Sequence, residues 1–301
     1  MTFRCAKTLL SRSGVMTLFR YESYAYSACR FTSPGAAISE GRIDLGRVIA
    51  IANQKGGVGK TTTAINLGAS LAIAERNTLV IDCDPQGNAT SGFGLRKDGD
   101  VPSVYDCLVN GQPLQAAVRP EVHFPCLSVV SASRDLTGAE VELIDRSDRQ
   151  RILGRKIEAL QDDFEYILID SPPSLGLLTL NALAAADAVL IPIQCEFYAL
   201  EGLSQLLNTV RLVQRSINPE LEIEGVLLTM YDSRLNLAKQ VAAEAREYFG
   251  GKVFDTMIPR NIRLAEAPSF GEPIALYDVL SSGARGYLSL ARELIDRHRS
   301  P

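Results

Sequence analysis

The feature that most constrains the fold of this chain is a glycine-rich turn between an apolar strand and a helix. The turn reads KGGVGKTTT over residues 55–63, after the apolar run 48–52 and before the helical pattern 64–71. Its glycines allow the backbone to curl so that successive N–H groups face an anion. The helix that follows adds the positive end of its dipole. Strand, turn and helix in this order predict a phosphate-binding loop.

Two lysines and a threonine of the turn have the chemistry of a nucleotide site. Lys60 can reach the β- and γ-phosphates, and the Thr61 hydroxyl can bind Mg²⁺. The general pattern of such loops has a glycine where this chain has Gln54, and a second lysine, Lys55, opens the turn instead. A glycine-rich turn with solvated lysines is the alternative, and the flanking strand and helix disfavour it.

From Val48 onward, apolar runs of strand length alternate with helix-period segments. Strands are predicted at 48–52, 78–82, 127–131, 166–170, 188–193, 223–229 and 252–257. Helices are predicted near 61–75, 139–161, 174–185, 199–217, 235–249 and 283–298. Continuously hydrophobic strands are expected where helices cover both faces of a sheet. We therefore predict an α/β fold, a doubly wound, mostly parallel sheet flanked by helices, as a single domain over 47–301.

Residues 1–46 differ in character from the rest of the chain. They are rich in arginine and serine and poor in acidic residues, which is typical of a transit peptide. The alternatives are a disordered tail or an extension translated from an upstream start codon. We expect one of these two alternatives, an N-terminal extension outside the folded domain, because the first strand begins immediately afterwards.

Composition excludes several classes of protein. No run approaches the roughly 18 apolar residues needed to span a bilayer. The net charge of −4 argues against a protein that is basic all over, so any DNA binding needs a local patch. The six cysteines include no C-x-x-C pair, so no zinc site is indicated.

Three aspartates stand at predicted strand ends. Asp82 and Asp84 leave the second strand, and side-chain alternation puts both on one side near the carboxyl end of the sheet. The sequence DPQG over 84–87 is also good turn chemistry that needs no catalysis. Asp170 ends another apolar strand, where P-loop enzymes hold the metal. A helix N-cap is the alternative there, and it suits Ser171 or Ser174 better.

Four segments together resemble the ParA/MinD group of P-loop ATPases. They are residues 55–62, 80–90, 166–176 and 258–269, the last similar to the C-terminal signature of chromosomal ParA (Soj) proteins. The similarity covers about residues 47–298. It implies a P-loop NTPase fold and an ATPase that partitions chromosome or plasmid DNA.

The resemblance also implies cofactors and partners. ATP and Mg²⁺ are the expected cofactors, and the ATP-bound protein is expected to be a sandwich homodimer that binds double-stranded DNA without sequence preference. A ParB-type centromere-binding protein is the expected partner that stimulates slow hydrolysis. The location implied is cytoplasmic and nucleoid-associated, without membrane binding.

Roles for individual residues follow from the same resemblance. Asp84 matches the residue that orients the attacking water, and Lys55 matches a lysine that reaches the nucleotide of the partner subunit. Residues 259–261, with Thr229 and Met230, match the segment that packs the adenine ring, and an ordinary strand-to-helix loop is the alternative. The expected catalytic residues are Lys55, Lys60 and Asp84. The expected nucleotide contacts are Lys55, Gly56, Gly57, Val58, Gly59, Lys60, Thr61, Thr62, Met230, Pro259, Arg260 and Asn261. The expected metal ligands are Thr61, Asp84 and Asp170, and the expected DNA contacts are Arg234 and Arg263.

Three alternatives remain open at this stage. A MinD-like positioning ATPase needs an amphipathic, basic C-terminal helix, whereas residues 289–298 carry acids and few bulky apolar groups. A reductase of the nitrogenase iron-protein type needs paired cysteines for an iron–sulfur cluster, and the cysteines here do not fall at the matching positions. Basic residues of the C-terminal half can also be ordinary solvated helix faces instead of a DNA surface.

Overall fold

The computed structural model describes residues 46–97, 101–196 and 201–299, with the side chains of 201–204 left undescribed. The expectation for residues 1–46 therefore lies, apart from Gly46, outside the described residues. The same holds for the predicted start of a helix at 199 and for the end of the predicted domain at 300–301.

A seven-stranded sheet forms the centre of the described chain, in the order β3-β4-β2-β5-β1-β6-β7. All neighbours are parallel except β3, which runs antiparallel to β4. The strands are β1 Arg47–Ile51, β2 Thr78–Asp82, β3 Val118–Arg119, β4 Leu127–Val130, β5 Tyr166–Asp170, β6 Ala188–Gln194 and β7 Glu222–Thr229. The predicted α/β class, with a mostly parallel sheet between helices, is confirmed.

Helices cover both faces of the sheet. They are α1 Lys60–Ile73, α2 Asn88–Gly92, α3 Val104–Leu108, α4 Leu114–Ala117, α5 Ala139–Glu142, α6 Ile152–Glu158, α7 Leu177–Ala185, α8 Glu201–Ser216, α9 Asn236–Phe249, α10 Ile262–Glu266, α11 Ile274–Tyr277 and α12 Ser282–Arg299. The short turns of 3₁₀ helix are Arg134–Thr137, Gln161–Asp163, Gly250–Lys252 and Ala267–Phe270.

Side-chain alternation divides the core into two clusters. In β1, Val48 and Ala50 belong to one cluster, while Ile49 and Ile51 belong to the other. Both clusters are buried, which explains why the strands read as continuous apolar runs. Helix α1 approaches the sheet closely because Gly68 has no side chain: a Cβ there would lie 2.6 Å from Val80.

Two predicted elements are wrong in a way that has a physical cause. Residues 252–257 do not form a strand, because Val253 makes only an isolated bridge to Val226 and the segment otherwise follows β7 irregularly. Its apolar residues, such as the buried Phe254, reflect burial and not ladder pairing. The predicted helix 139–161 is broken into α5 and α6, because the charged stretch between them has no apolar period to bury.

Two details of the connections also differ from expectation. The two-residue strand β3 is absent from the predicted strands, because it is too short to show a period. Helix α7 begins at Leu177 with Gly176 as its N-cap, so neither Ser171 nor Ser174 caps it. The Ser171 hydroxyl donates instead to the Ile51 carbonyl of β1, at 2.8 Å.

The parallel register brings the carboxyl ends of three strands together, and this end of the sheet is called its carboxyl edge below. Asp170 of β5 is paired in register with Ile51 of β1 on one side and with Asp82 of β2 on the other. The glycine-rich turn leaves β1 at this carboxyl edge and starts α1. The fold therefore collects the turn and the aspartates in one place, as expected for open α/β sheets.

At the opposite end of the strands, a cluster of charged side chains attaches α12 to the sheet. The buried carboxylate of Glu224 accepts a hydrogen bond from Arg47 at 2.9 Å and pairs with His298 at 2.9 Å. Burial alone would raise the pKa of Glu224, yet its pKa is lowered because His298 and Arg47 stabilise the charged form. This cluster joins the first strand, the last strand and the last helix.

Glu224→Gln is expected to lower the free energy of unfolding by about 1–3 kcal/mol near neutral pH, because Arg47 and His298 lose their anionic partner. A carboxylate whose folded pKa is lowered stabilises the fold above its unfolded pKa and loses that contribution as pH falls. The difference between the two proteins should therefore shrink below a pH of about 4.5, in urea titrations at several pH values. A difference that stayed constant down to a pH of about 3 would contradict the assignment.

Candidate nucleotide and magnesium site

The glycine-rich turn curls as a phosphate-binding loop does. Gly57 and Gly59 have positive φ values of 75° and 90°, which side chains disfavour, and Gly59 caps the start of α1. A Cβ at Gly56 or Gly57 would meet no atom within 4 Å, so both glycines border open space. The turn is held from behind by the Thr229 hydroxyl, which donates to the Val58 carbonyl at 2.8 Å.

Asn53 fixes the entry to the turn, and the sequence analysis missed it. Its Oδ1 accepts the Lys55 N–H at 3.0 Å, and its Nδ2 donates to the Pro192 carbonyl of β6 at 2.7 Å. A polar residue directly after a buried strand and before the glycines is the signal that could have indicated this role. Asn53 and Thr229 together attach the turn to strands β6 and β7.

Lys60 is buried at the start of α1 and points back into the turn. Its ammonium donates to the Lys55 carbonyl at 3.3 Å. Burial lowers the pKa of Lys60, while the nearby carboxylates of Asp170 and Asp84 oppose that shift. A partly desolvated cation beside a glycine-rich turn and at the start of a helix is suited to bind phosphate oxygens.

Asp170 is the least compensated charge of the site. It is fully buried, and neither carboxylate oxygen has a hydrogen-bond partner among the described residues. Its pKa is raised well above the usual value, first by burial and then by the Asp82 carboxylate. The Thr61 hydroxyl and Lys60 oppose this shift, although neither forms a hydrogen bond of normal geometry with it.

These residues fit a magnesium ion. Within the described ranges there is no cluster of three or more histidine, cysteine or acidic side chains that could bind a metal alone. Mg²⁺ at phosphate sites is usually held by only one or two protein ligands, together with phosphate oxygens and water. The orphaned carboxylate of Asp170, beside the Thr61 hydroxyl, is such a partial ligand set.

The two aspartates of the second strand have different surroundings. Asp82 is satisfied by Thr90, whose N–H and hydroxyl donate to Oδ2 at 2.7 and 2.6 Å. Burial still raises the pKa of Asp82 to about 6. Asp84 lies two residues further on, where its Oδ1 accepts the Gln86 N–H at 2.9 Å in a turn. Asp84 therefore takes part in a turn and also lies close enough to Lys60 to affect its pKa.

A cavity of about 300 Å³ adjoins the turn on the side of α1 and the end of β7. Thr62, Met230, Pro259, Arg260 and Asn261 contribute to its walls. Met230 has a positive φ of 49°, unusual for a residue with a side chain, and this turns the chain at the end of β7. The remaining walls are formed by Gly59, Thr229, Ile258, Ile262, Leu264, Ala265 and Tyr287.

Most polar side chains of this cavity form hydrogen bonds or ion pairs with other residues of the chain. Asn261 caps α10 by accepting the Arg263 N–H at 2.7 Å, and its Nδ2 donates to Ser282. The buried Tyr287 hydroxyl shares a hydrogen bond with Thr63 of α1 at 3.2 Å. Hydrogen bonds thus hold Asn261 and Tyr287 in the wall of the cavity, whose mostly apolar lining suits a flat ring such as a purine base.

The remaining predicted residues lie on the surface. Lys55 is about one-third exposed, and its ammonium lies 4.0 Å from Glu196. Arg234 is largely exposed and forms a two-pronged ion pair with Asp232, at 2.9 and 2.7 Å. Arg263 is paired with Glu266 at 2.9 Å and with Asp278 at 3.6 Å. Neither Arg234 nor Arg263 belongs to the walls of the nucleotide cavity.

Comparison with known proteins gives close relatives. A family model described as an AAA domain matches residues 46–223. Chromosome partitioning protein ParA of Myxococcus xanthus is 58% identical over 254 residues, 84% of this chain and 89% of that protein. Sporulation initiation inhibitor protein Soj of Bacillus subtilis is 56% identical over 250 residues, 83% of this chain and 98% of that protein.

A solved structure agrees with the architecture. Cobyrinic acid a,c-diamide synthase from Mycobacterium smegmatis, with a bound ATP analog and magnesium, superimposes with a TM-score of 0.74 at 36% identity. The match covers 85% of this chain and 97% of that one.

Asp170→Asn is expected to have opposite effects on stability with and without ligand. Ionisation of a carboxyl whose folded pKa is raised weakens the fold as pH rises from the unfolded pKa towards the folded one. The neutral amide should therefore stabilise the nucleotide-free protein near neutral pH by at least about 1 kcal/mol. The rise in melting temperature that Mg-ATP produces in the unsubstituted protein should be largely lost.

Both effects can be measured by differential scanning calorimetry in EDTA and then in Mg-ATP. Asp162→Asn, at an exposed position in a 3₁₀ turn, is the matched control and should change neither. Lower stability in EDTA, or full stabilisation of Asp170→Asn by Mg-ATP, would contradict the assignment of Asp170 to the metal.

Proposed function

This chain belongs to the ParA/Soj family of chromosome-partitioning ATPases, and we propose that ATP converts it into a sandwich dimer that binds DNA without sequence preference. In this proposal a ParB-type protein bound at a centromere-like site stimulates slow hydrolysis, which returns the dimer to monomers. The turn at 55–63 and the cavity beside it bind the nucleotide, as supported by the ATP analog and magnesium in the related synthase.

The observation that carries the proposal is the different placement of two lysine side chains, Lys60 and Lys55. The Lys60 side chain points back into the turn of its own subunit. The Lys55 side chain is instead about one-third exposed, near the carboxyl ends of the strands. Two facing nucleotides would repel each other by their charge, and a cation from the opposite subunit would relieve this. Lys55 is proposed to act on a neighbour's nucleotide, in the way that an arginine finger acts in trans.

Asp84 is proposed to orient the attacking water and to accept its proton. It is nearly buried, it lies at the edge where the γ-phosphate would lie, and a turn bond to Gln86 fixes one of its oxygens. When bound, Mg²⁺ would neutralise charge on the β- and γ-phosphates. Thr61 and Asp170 are the residues proposed to hold it, with Asp84 as a further ligand candidate.

Hydrolysis is proposed to work as a switch because the segments after β2 and β5 touch the γ-phosphate region. Asp84 and Asp170 stand at the start of these segments, so loss of the γ-phosphate removes what holds them together. Release of the DNA-bound dimer then follows from separation of the two subunits. The same segments are where a stimulating partner would have to act.

DNA binding is proposed for the exposed arginines, with Arg234 as the principal contact. Asp232 orients its guanidinium through two hydrogen bonds, and the Arg234 side chain remains 86% exposed. Arg263 is proposed as a weaker contact, because it pairs with two carboxylates, Glu266 and Asp278, and its side chain is 54% exposed against 86% for Arg234.

A MinD-like, membrane-bound function receives less support. No helix among the described residues is both long and apolar enough to cross a bilayer. The apolar face of α12, including Leu290, Leu294 and Ile295, is buried in the core with α1. That face is therefore not free to insert into a membrane surface.

Lys55→Ala is expected to abolish ATP-dependent dimerisation and turnover while leaving ATP binding to the monomer within about threefold, because Lys60 is untouched. Light scattering with a non-hydrolysable ATP analogue measures the mass, and calorimetry measures the affinity. Lys252→Ala, an exposed lysine near the opposite edge, is the control. An unchanged ATP-induced mass shift in Lys55→Ala would refute the proposal.

Arg234→Gln is expected to weaken retention of the ATP-bound dimer on random-sequence duplex. It should also flatten the salt dependence, by about one unit in log K against log [salt] for each phosphate that the protein no longer touches. Arg263→Gln should do the same to a smaller extent. Arg76→Gln, which breaks an ion pair with Glu165 at the other edge, is the control. Equal slopes for all three variants would remove both arginines from the DNA surface.

A further inference from the structure

Glu196 occupies a position between the two ends of the nucleotide site. It lies two residues beyond β6, at the carboxyl edge of the sheet, where its N–H donates to the Gln194 carbonyl at 2.8 Å. The Gln194 side chain in turn donates to the Glu196 carboxylate. The backbone and the carboxylate of Glu196 are thus both held in a tight local turn.

The carboxylate of Glu196 faces two cations from distant parts of the chain. One oxygen lies 4.0 Å from the Lys55 ammonium, and the other lies 3.3 Å from the Arg260 guanidinium. Among the described residues, neither cation has another ion pair. Lys55 belongs to the phosphate end of the site and Arg260 to the wall of the base cavity. One carboxylate therefore joins the two ends.

We propose that Glu196 is a positioning residue that holds Lys55 within its own subunit until the dimer forms. The inference rests on the proposed role of Lys55 in trans, because a lysine that reaches a neighbour must first leave Glu196. In the free monomer the contact keeps Lys55 beside its own turn. In the dimer the phosphates of the opposite nucleotide replace the carboxylate as the anionic partner.

The strength of the contact suits a restraint that ATP can overcome. All three side chains are between one-third and two-thirds exposed, and exposed pairs of this kind shift an equilibrium by no more than about fivefold. Glu196 would therefore raise the ATP concentration needed for dimerisation without preventing it. Its effect belongs to the monomer–dimer equilibrium and not to binding of the nucleotide by the monomer.

Glu196→Gln tests this directly, because the amide keeps the shape and removes the charge. The ATP-analogue concentration for half-maximal dimerisation, measured by light scattering, should fall about two- to fivefold. ADP affinity of the monomer and the melting temperature should stay unchanged. Glu196→Asp should restore most of the original requirement, and Glu165→Gln, which breaks a pair at the other edge, should have no effect.

The outcomes separate the inference from the function on which it rests. If the unsubstituted protein never dimerises with ATP, the proposed function fails. If it dimerises and Glu196→Gln needs the same or a higher ATP concentration, only the inference fails, because Glu196 then either does not restrain Lys55 or helps the dimer.

A second measurement detects the contact between Lys55 and Glu196 itself. A water-soluble carbodiimide joins a carboxylate to a contacting amine as an amide, so the nucleotide-free protein should give a Lys55–Glu196 link within one chain, found by peptide mass spectrometry. The yield should fall at least about threefold when Mg²⁺ and a non-hydrolysable ATP analogue are present. Absence of the link, or a yield unchanged by nucleotide in protein that light scattering shows to dimerise, would overturn the inference.

Discussion

The concentration of negative charge at the carboxyl edge of the sheet is the constraint on which the site depends. Parallel pairing places Asp82 and Asp170 side by side in register, with Asp84 two residues further on. Thr90 satisfies Asp82, and Lys60 is the buried cation that faces the other two. Asp170 keeps no hydrogen-bond partner in the described chain. Negative charges held this close together raise one another's pKa, and a divalent cation would offset their repulsion.

The positions of the site residues were easier to predict from the sequence than the outer elements of the fold, as particular residues illustrate. The turn at 55–63 and the strand-end aspartates were predictable because backbone conformation and strand order leave few other arrangements. The structural roles of Asn53, Thr229 and Glu196 were not, because each includes a contact with a residue more than a hundred positions away. The strand predicted at 252–257 was wrong because apolar composition reports burial, not ladder pairing.

In the proposed dimer, the two lysines of the turn would let one short segment act in two subunits. Lys60 points inward because α1 begins at that residue, and Lys55 stays outside because Asn53 holds its N–H at the entry. Their separation by the glycines keeps the two ammonium groups from competing for the same anion. Glu196 adds a competing partner for the outer one, so that its availability depends on the state of the site.

The last helix of the chain forms part of the nucleotide cavity. Tyr287 of α12 lines the space where a base would lie and bonds to Thr63 of the first helix. Deletion of residues 282–299 would therefore remove one wall of this cavity and uncover the apolar face of α1 that α12 covers.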